Sequence, residues 1–213
     1  GDEIEADVLV AGVGQLHRPI IPELPGRERF AGASFHSAQW DSTVPLEGKR
    51  VGVVGNAASA VEFMPEMSYL CVRLTVFERT PFWIVTRVDH AYTDAEKRRF
   101  ARHPWLARLY RWLIWARQEM MFSLIVGRMQ DRWRGAALDN LHEHVKDPEL
   151  RRKLTPDYPV GGKRVLIHDD YYPALARENV ELVTSPIARV DERGLQTQDG
   201  KHHDFDVLIW ATG

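Results

Sequence analysis

The chain has 213 residues, 44% hydrophobic and 27% charged, enough apolar material for one domain or two small ones at about 100 to 200 residues each. Its 28 basic and 30 acidic residues leave a net charge of −2, so there is no cationic surplus to neutralise a nucleic-acid backbone or an acidic membrane. Cys71, the one cysteine, excludes an internal disulfide, a cysteine-only zinc site and a redox CxxC pair, and fits a reducing cytoplasm.

The chain opens on Gly1-Asp2-Glu3-Ile4-Glu5, acidic where a signal peptide is basic and then apolar, so nothing marks it for export. Asp7-Val8-Leu9-Val10, closed by Ala11-Gly12-Val13-Gly14, reads as a short buried strand. Arg18-Pro19, Pro22, Pro25 and Gly26 follow, a spacing that suits an ordered linker and no regular element. From Lys49 the pattern is strand (50–54), small-residue loop (55–60), helix (61–70) and strand (73–77), a βαβ unit whose strands are expected to lie parallel. Residues 89–154 are rich in Arg, Trp and Leu, with Leu106, Leu109, Tyr110, Leu113 and Ile114 at helical spacing, and are expected to form a helical insertion. Within it Arg108, Arg111, Arg117 and Glu119 interrupt the most apolar stretch, whereas a spanning helix needs about 20 nearly uncharged residues. The Trp105 to Trp115 stripe is expected to be the insertion's core face. Strand character returns at 164–167, at 180–183 and in a hairpin around Asp199-Gly200. The closing run, Asp206-Val207-Leu208-Ile209-Trp210-Ala211-Thr212-Gly213, repeats the opening one at the same length, which points to two nucleotide domains, the first of them lying mostly upstream.

The loop after the 50–54 strand is the strongest local signal for a ligand. A dinucleotide loop needs a tight turn, a bare backbone and free amides at a helix N-terminus. Gly55, Ala57 and Ala60 fill the three small positions, with Asn56, Ala58 and Ser59 between them. About 20 residues on, where ribose selectivity is set, stand Glu78, Arg79 and Thr80. A carboxylate there suits the 2′-hydroxyl of NAD and an arginine the 2′-phosphate of NADP. Arg79 with Thr80 favours NADP, with Glu78 turned aside or paired to a neighbouring base. Gly12-Val13-Gly14 is not a second phosphate elbow, because Gln15 to Pro19 cannot start a helix.

Phe30-Ala31-Gly32-Ala33-Ser34-Phe35-His36-Ser37-Ala38-Gln39-Trp40-Asp41 matches FxGxxxHxxxW(P/D), and on this fingerprint the chain resembles the type I Baeyer-Villiger monooxygenases. Similar pieces recur in Gly14-Gln15-Leu16, in Glu78-Arg79-Thr80-Pro81, in Gly162-Lys163-Arg164 and in Ala211-Thr212-Gly213. The chain departs from the family pattern at Gly12, Ala57 and Glu78, where Ala, Gly and an uncharged residue are usual. The resemblance implies an enzyme in which NADPH reduces FAD, oxygen adds to the flavin, and the flavin peroxide oxidises a ketone. The related flavin-containing monooxygenases, which oxygenate nitrogen or sulfur, and a non-catalytic NADP-binding paralogue are the alternatives.

The implied fold is α/β: a Rossmann-like three-layer nucleotide-binding domain with a helical insertion, plus the closing edge of an FAD domain. The expected division is 1–25 for that edge, 26–47 for an interdomain linker, 48–88 with 157–213 for the NADP domain, and 89–156 for the insertion. Expected on NADP are Gly55, Asn56, Ala57, Ala58, Ser59, Arg79, Thr80, Lys163, Ala211, Thr212 and Gly213, and on the FAD side Val13, Gly14 and Gln15. Arg164 matches the family's active-site arginine, a permanent cation beside the flavin oxidant; on its own a Lys-Arg pair is as well explained by two surface bases. Phe30, Gly32, His36, Trp40 and Asp41 are assigned to a linker with a conformational role. Asp169-Asp170 reads as capping of a following helix, and the His142/His144 and His202/His203 pairs lack partners for a metal. The expected partners are a small ketone or heteroatom substrate and O2, with no nucleic acid and no membrane span. A chain without the FAD loop is expected not to turn over by itself.

Overall fold

The computed structural model describes residues 5–12, 14, 18–87, 89–125 and 130–212. Its centre is a parallel sheet in the order β1-β10-β2-β3-β6, built from β1 (Ala33–His36), β2 (Arg50–Val54), β3 (Arg73–Phe77), β6 (Val180–Val183) and β10 (Val207–Trp210). The βαβ unit forms as expected: β2 and β3 run parallel in register from Arg50↔Arg73 to Val54↔Phe77, joined by α1 (Ala58–Leu70). A strand in such a sheet is covered on both faces and can be apolar at every position. In β2 and β10 successive residues accordingly serve two different cores. Val51, Val53, Val207 and Ile209 face α1 and α6 (Tyr171–Leu175). Val54, Leu208 and Trp210 face a second layer, the antiparallel sheet β7 (Ile187–Val190), β8 (Gly194–Thr197) and β9 (His202–Asp204). Three layers result: helices, parallel sheet and antiparallel sheet. The hairpin at Asp199-Gly200 joins β8 to β9, and Gly200 has φ 84°, a left-handed turn position that glycine takes without strain.

The lower ends of the two central strands are tied by a charge. Asp206 accepts from the Arg50 backbone N–H at 2.8 Å and from its guanidinium at 2.8 Å, and these bonds hold the Asp206 carboxyl below its usual range. The stabilisation is present above the unfolded carboxylate value, about 3.9, and is lost as pH falls through the lower folded value. The pair is partly solvated, so Asp206→Asn is expected to cost about 1 kcal/mol or less at pH 7. Urea midpoints of the two proteins should differ by a constant amount from pH 7 to 5 and converge below about pH 4; a gap that widens in acid would contradict this reading.

The insertion comprises α2 (Asp94–Arg102), α3 (Pro104–Ile125), α4 (Gln130–His144) and α5 (Pro148–Leu154), helical as expected. It is anchored through a small core in which Ala137 meets Trp83, Val85 and Val160, beside the two-residue strands β4 (Ile84–Val85) and β5 (Leu166–Ile167). The burial expected of its aromatic stripe is not found. Trp105, Leu109, Trp112, Leu113, Ile114 and Trp115 are all exposed, because apolar residues lie all around α3, whereas among the described residues its main neighbours are α2 and α4. Among the described residues no helix is long and apolar enough to cross a membrane.

The opening run also departs from expectation. Residues 7–10 form no strand, and Val8, Leu9 and Val10 are 76%, 91% and 83% exposed. An apolar run becomes a strand only beside a neighbour that completes its hydrogen-bond ladder, and among the described residues none lies alongside. The closing run, with β1 and β2 on either side, does become β10.

Candidate functional site

The C-terminal ends of β2, β3, β6 and β10 open into a cavity of about 530 Å³, where ligands bind in open α/β sheets. Eight of the eleven residues expected on NADP line it: Gly55, Asn56, Ala57, Arg79, Thr80 and Lys163, with Ala211 and Thr212 closing it on the β10 side. Ala58 and Ser59 are exposed in the first turn of α1 outside the lining, and Gly213 lies outside the described residues. A smaller surface hollow of about 420 Å³ around Glu23 to Glu28 contains none of the candidates.

Each part of the loop has a physical reason. Gly55 has φ 108°, and a Cβ there would stand 2.5 Å from the Ala211 carbonyl oxygen, so both its conformation and its close approach to β10 require glycine. Ala57 sits at φ −72°, an ordinary conformation for an L-residue, which explains how the loop tolerates a methyl group at the middle position. Ala60 is fully buried and lets α1 approach the sheet. No side chain caps α1, and its first turn has no acidic residue, so its free amides and positive dipole end are left for an anion. Asn56 donates from its side-chain amide to the Thr80 carbonyl at 2.9 Å, fixing the loop against the end of β3.

Two cations flank the cavity. Arg79 is exposed at its rim, and the Lys163 ammonium stands over the Tyr158 ring at 4.8 Å and the Phe82 ring at 5.8 Å from their centroids. Arg164 does not join them: it is exposed and absent from the lining, the backbone bending at Gly162 and Lys163 just before it. Glu78, expected to turn aside or to pair with a base, is instead buried beside Tyr171, whose hydroxyl donates to its Oε2 at 3.3 Å. Burial pushes its carboxyl up to about 7, against the opposing effect of the Tyr171 hydrogen bond and of the nearby Asn56 amide. It also raises the Tyr171 hydroxyl well above its ordinary value, with the Glu78 charge adding to the shift. Phe82, Thr184, Ser185 and Pro186 also line the cavity and were not expected there. The polar Thr184-Ser185 pair directly after an apolar strand was the available signal, since residues at the C-terminal ends of parallel strands face the ligand crevice.

The linker fingerprint is engaged at every fixed position. Phe30 packs in the core between the two sheets, and a Cβ on Gly32 would collide with its ring and with the Asp206 carbonyl. His36 is buried, and its Nδ1 accepts from the Ala38 N–H at 3.0 Å. That assigns the proton to Nε2, which donates to the Thr212 carbonyl at 2.5 Å. The Thr212 hydroxyl in turn donates to the Ile20 carbonyl. Trp40 stands edge-on to Phe35 and to Phe63 of α1, both with centroids at 5.3 Å, and Asp41 accepts from the Thr43 N–H at 2.9 Å. The linker is thus bonded to the strand end that closes the cavity, with its residues 33–36 forming β1 along β10.

Asp169 accepts from the Arg87 N–H at 2.7 Å, and Asp170 stands at the N-cap of α6 without a side-chain cap bond, so the pair does not cap the helix as expected; Asp170 has αR backbone angles, and a capping residue is extended. Of the residues expected on the FAD side, Val13 and Gln15 lie outside the described residues, and Gly14 is exposed with φ 74°.

Residues 3–213 match the model of the flavin-binding monooxygenase-like family. A Baeyer-Villiger monooxygenase of Pseudomonas aeruginosa is 40% identical over 100% of this chain, and one of Streptomyces coelicolor is 38% identical over 99%. This chain spans 41% of the length of each. Among solved structures, an oxidised steroid monooxygenase bound to NADP superimposes with a TM-score of 0.78 at 27% identity, over 95% of this chain and 46% of that one. A cyclohexanone monooxygenase in an open form superimposes with a TM-score of 0.74 at 26% identity, over 91% and 45%. The glycine elbow, the two cations and the linker bonded to β10 therefore belong to a chain of the flavin-binding monooxygenase-like family.

Proposed function

We propose that this chain is the NADPH-binding part of an FAD-dependent monooxygenase that inserts one oxygen of O2 into a ketone. The observation that carries the reading is the convergence of Gly55, Asn56, Arg79, Thr80 and Lys163 on one cavity at the N-terminus of α1. The donor set fits NADPH. The free amides of α1 suit a pyrophosphate, and Arg79 and Lys163 supply two cations for a 2′-phosphate, Arg79 with a planar fork of donors. Thr80 adds a hydroxyl at the same rim. Bound there, NADPH supplies a hydride. The protein binds and orients it: Asn56 holds the loop to β3, and His36 holds the linker to the strand end at Thr212. We assign His36 and Trp40 a positioning role, because both join linker to sheet and neither lines the cavity.

The described residues do not build a flavin pocket. A Cβ placed on Gly12 or Gly14 would meet nothing within 4 Å, so among the described residues none stands close to them. The flavin is assigned to other parts of a longer polypeptide, consistent with relatives more than twice this length. Arg164, exposed outside the NADPH cavity, is our candidate for the cation facing it. The division into linker, nucleotide domain and insertion is proposed with the same boundaries as above.

The test is oxygenation by the polypeptide of relatives' length that contains this chain. With NADPH under air and a cyclic ketone, the expected product is the ring-expanded lactone, one oxygen heavier. Oxidation confined to an amine or thioether would assign the nitrogen- and sulfur-oxygenating alternative, and NADPH binding without oxygenation of any substrate would assign the non-catalytic one.

A further inference from the structure

One group in the cavity wall has no part in the reading above. Glu78 follows β3 directly and precedes Arg79, and it is only 2% exposed. Its Oε2 accepts from Tyr171, whereas its Oε1 is buried without a hydrogen-bond partner. A native protein rarely leaves a buried carboxylate oxygen unpaired, since a charged group so placed loses its hydration without compensation. The groups around it are nearly all neutral donors or phenols. Tyr171 and Tyr172 come from α6, Tyr158 from the segment after α5, and Asn56 from the loop before α1. The cations of the cavity, Arg79 at the rim and Lys163 over the Tyr158 ring, make no ion pair with it among the described residues. A 2′-phosphate held by Arg79 would bring close to two negative charges to the residue adjoining this carboxyl, and like charges disfavour ionisation further.

We propose that Glu78 is a specificity-determining residue that admits a 2′-phosphorylated nucleotide only in its neutral form, so that NADP+ binds together with a proton while NAD+ does not require one. The inference rests on the NADPH reading of the cavity and adds what that reading lacks, a residue opposing the phosphate as well as residues attracting it. Before any nucleotide binds, burial already pushes the Glu78 carboxyl up to about 7. The neutral fraction is then about nine-tenths at pH 6 and about one-tenth at pH 8, and apparent affinity scales with the competent fraction. Gln at this position is neutral at every pH and keeps an oxygen to accept from Tyr171.

The test is calorimetric titration of this chain and its Glu78→Gln variant with NADP+ and with NAD+ at pH 6, 7 and 8. For NADP+, the ratio of the parent Kd to the variant Kd is expected to be about 1 at pH 6 and about 10 at pH 8. For NAD+ it should stay within about twofold. Comparing parent with variant cancels the titration of the 2′-phosphate itself, whose second ionisation lies near about 6. A pH-independent NADP+ ratio would overturn this inference and leave the NADPH reading standing; failure of both proteins to bind NADP+ would overturn both. A second measurement needs no variant. At pH 8, in two buffers of different ionisation enthalpy, the parent should take up about one proton per NADP+ bound, and zero uptake would overturn the inference.

Discussion

Replacing Arg79 with alanine is expected to weaken NADP+ binding about 100-fold while changing NAD+ binding by no more than about threefold. Arg79 is exposed at the rim of the cavity, so its removal opens no hole in a core and leaves no buried partner unpaired. On the proposed assignment it removes a charge-assisted contact to phosphate, worth about 1.5 to 3 kcal/mol. Lys163 is expected to contribute less, because an ammonium offers a point charge without the fork geometry and is already placed over two aromatic rings. Lys163→Ala should therefore fall between the parent and Arg79→Ala. Equilibrium titration with both nucleotides checks the assignment. An equal loss for NADP+ and NAD+ would mean that Arg79 acts on the pyrophosphate or on the fold, and the 2′-phosphate would have to be placed elsewhere.

The largest expected loss of stability comes from Leu208→Ala, about 3 kcal/mol in urea unfolding of this chain. Leu208 is fully buried in β10, with β2 and β1 on either side. Its side chain occupies the room left by a missing one: a Cβ on Gly52, its register partner in β2, would stand 2.8 Å from the Leu208 Cδ2. Gly52 and Leu208 thus interlock, and truncating the leucine leaves a cavity that the paired strands cannot collapse to fill. For a chain of this size the melting temperature should fall by roughly 6 to 12 °C. Trp112→Ala removes a larger side chain yet is expected to cost less than about 0.5 kcal/mol, since Trp112 is 57% exposed. Equal losses for the two would contradict the placement of the core.

These contrasts show where sequence patterns carry structural information. The βαβ unit was legible because three independent signals agree within 28 residues: an apolar strand, a small-residue elbow and a helix leading to a second apolar strand. The place of the cavity followed, because topology alone brings the ends of parallel strands together. Helical periodicity also located α3 correctly but could not say whether its tryptophans are covered, which depends on what lies beside the helix. The opening run failed for the same reason. Asp7 to Val10 and Asp206 to Trp210 are the same kind of phrase, and only the second has strands on both sides.

Side-chain direction was the other blind spot. Lys163 and Arg164 are adjacent bases in the sequence, yet only Lys163 reaches the cavity. Glu78 stands out in the sequence as an anomaly, but its surroundings are not legible there, since its partner Tyr171 is 93 residues away in the chain. The FxGxxxHxxxWD fingerprint identified a family before any geometry was known. What it could not reveal is that its histidine bridges 176 residues to bond the carbonyl of Thr212, which ties the linker to the strand end that closes the cavity.

A crystal structure of this chain with NADP+ tests the central assignment most directly. The expected result places the pyrophosphate within hydrogen-bond distance of the backbone amides at the start of α1 and the 2′-phosphate between Arg79 and Lys163. A nucleotide bound away from the Gly55 elbow, or one whose 2′-phosphate touches neither cation, would contradict it.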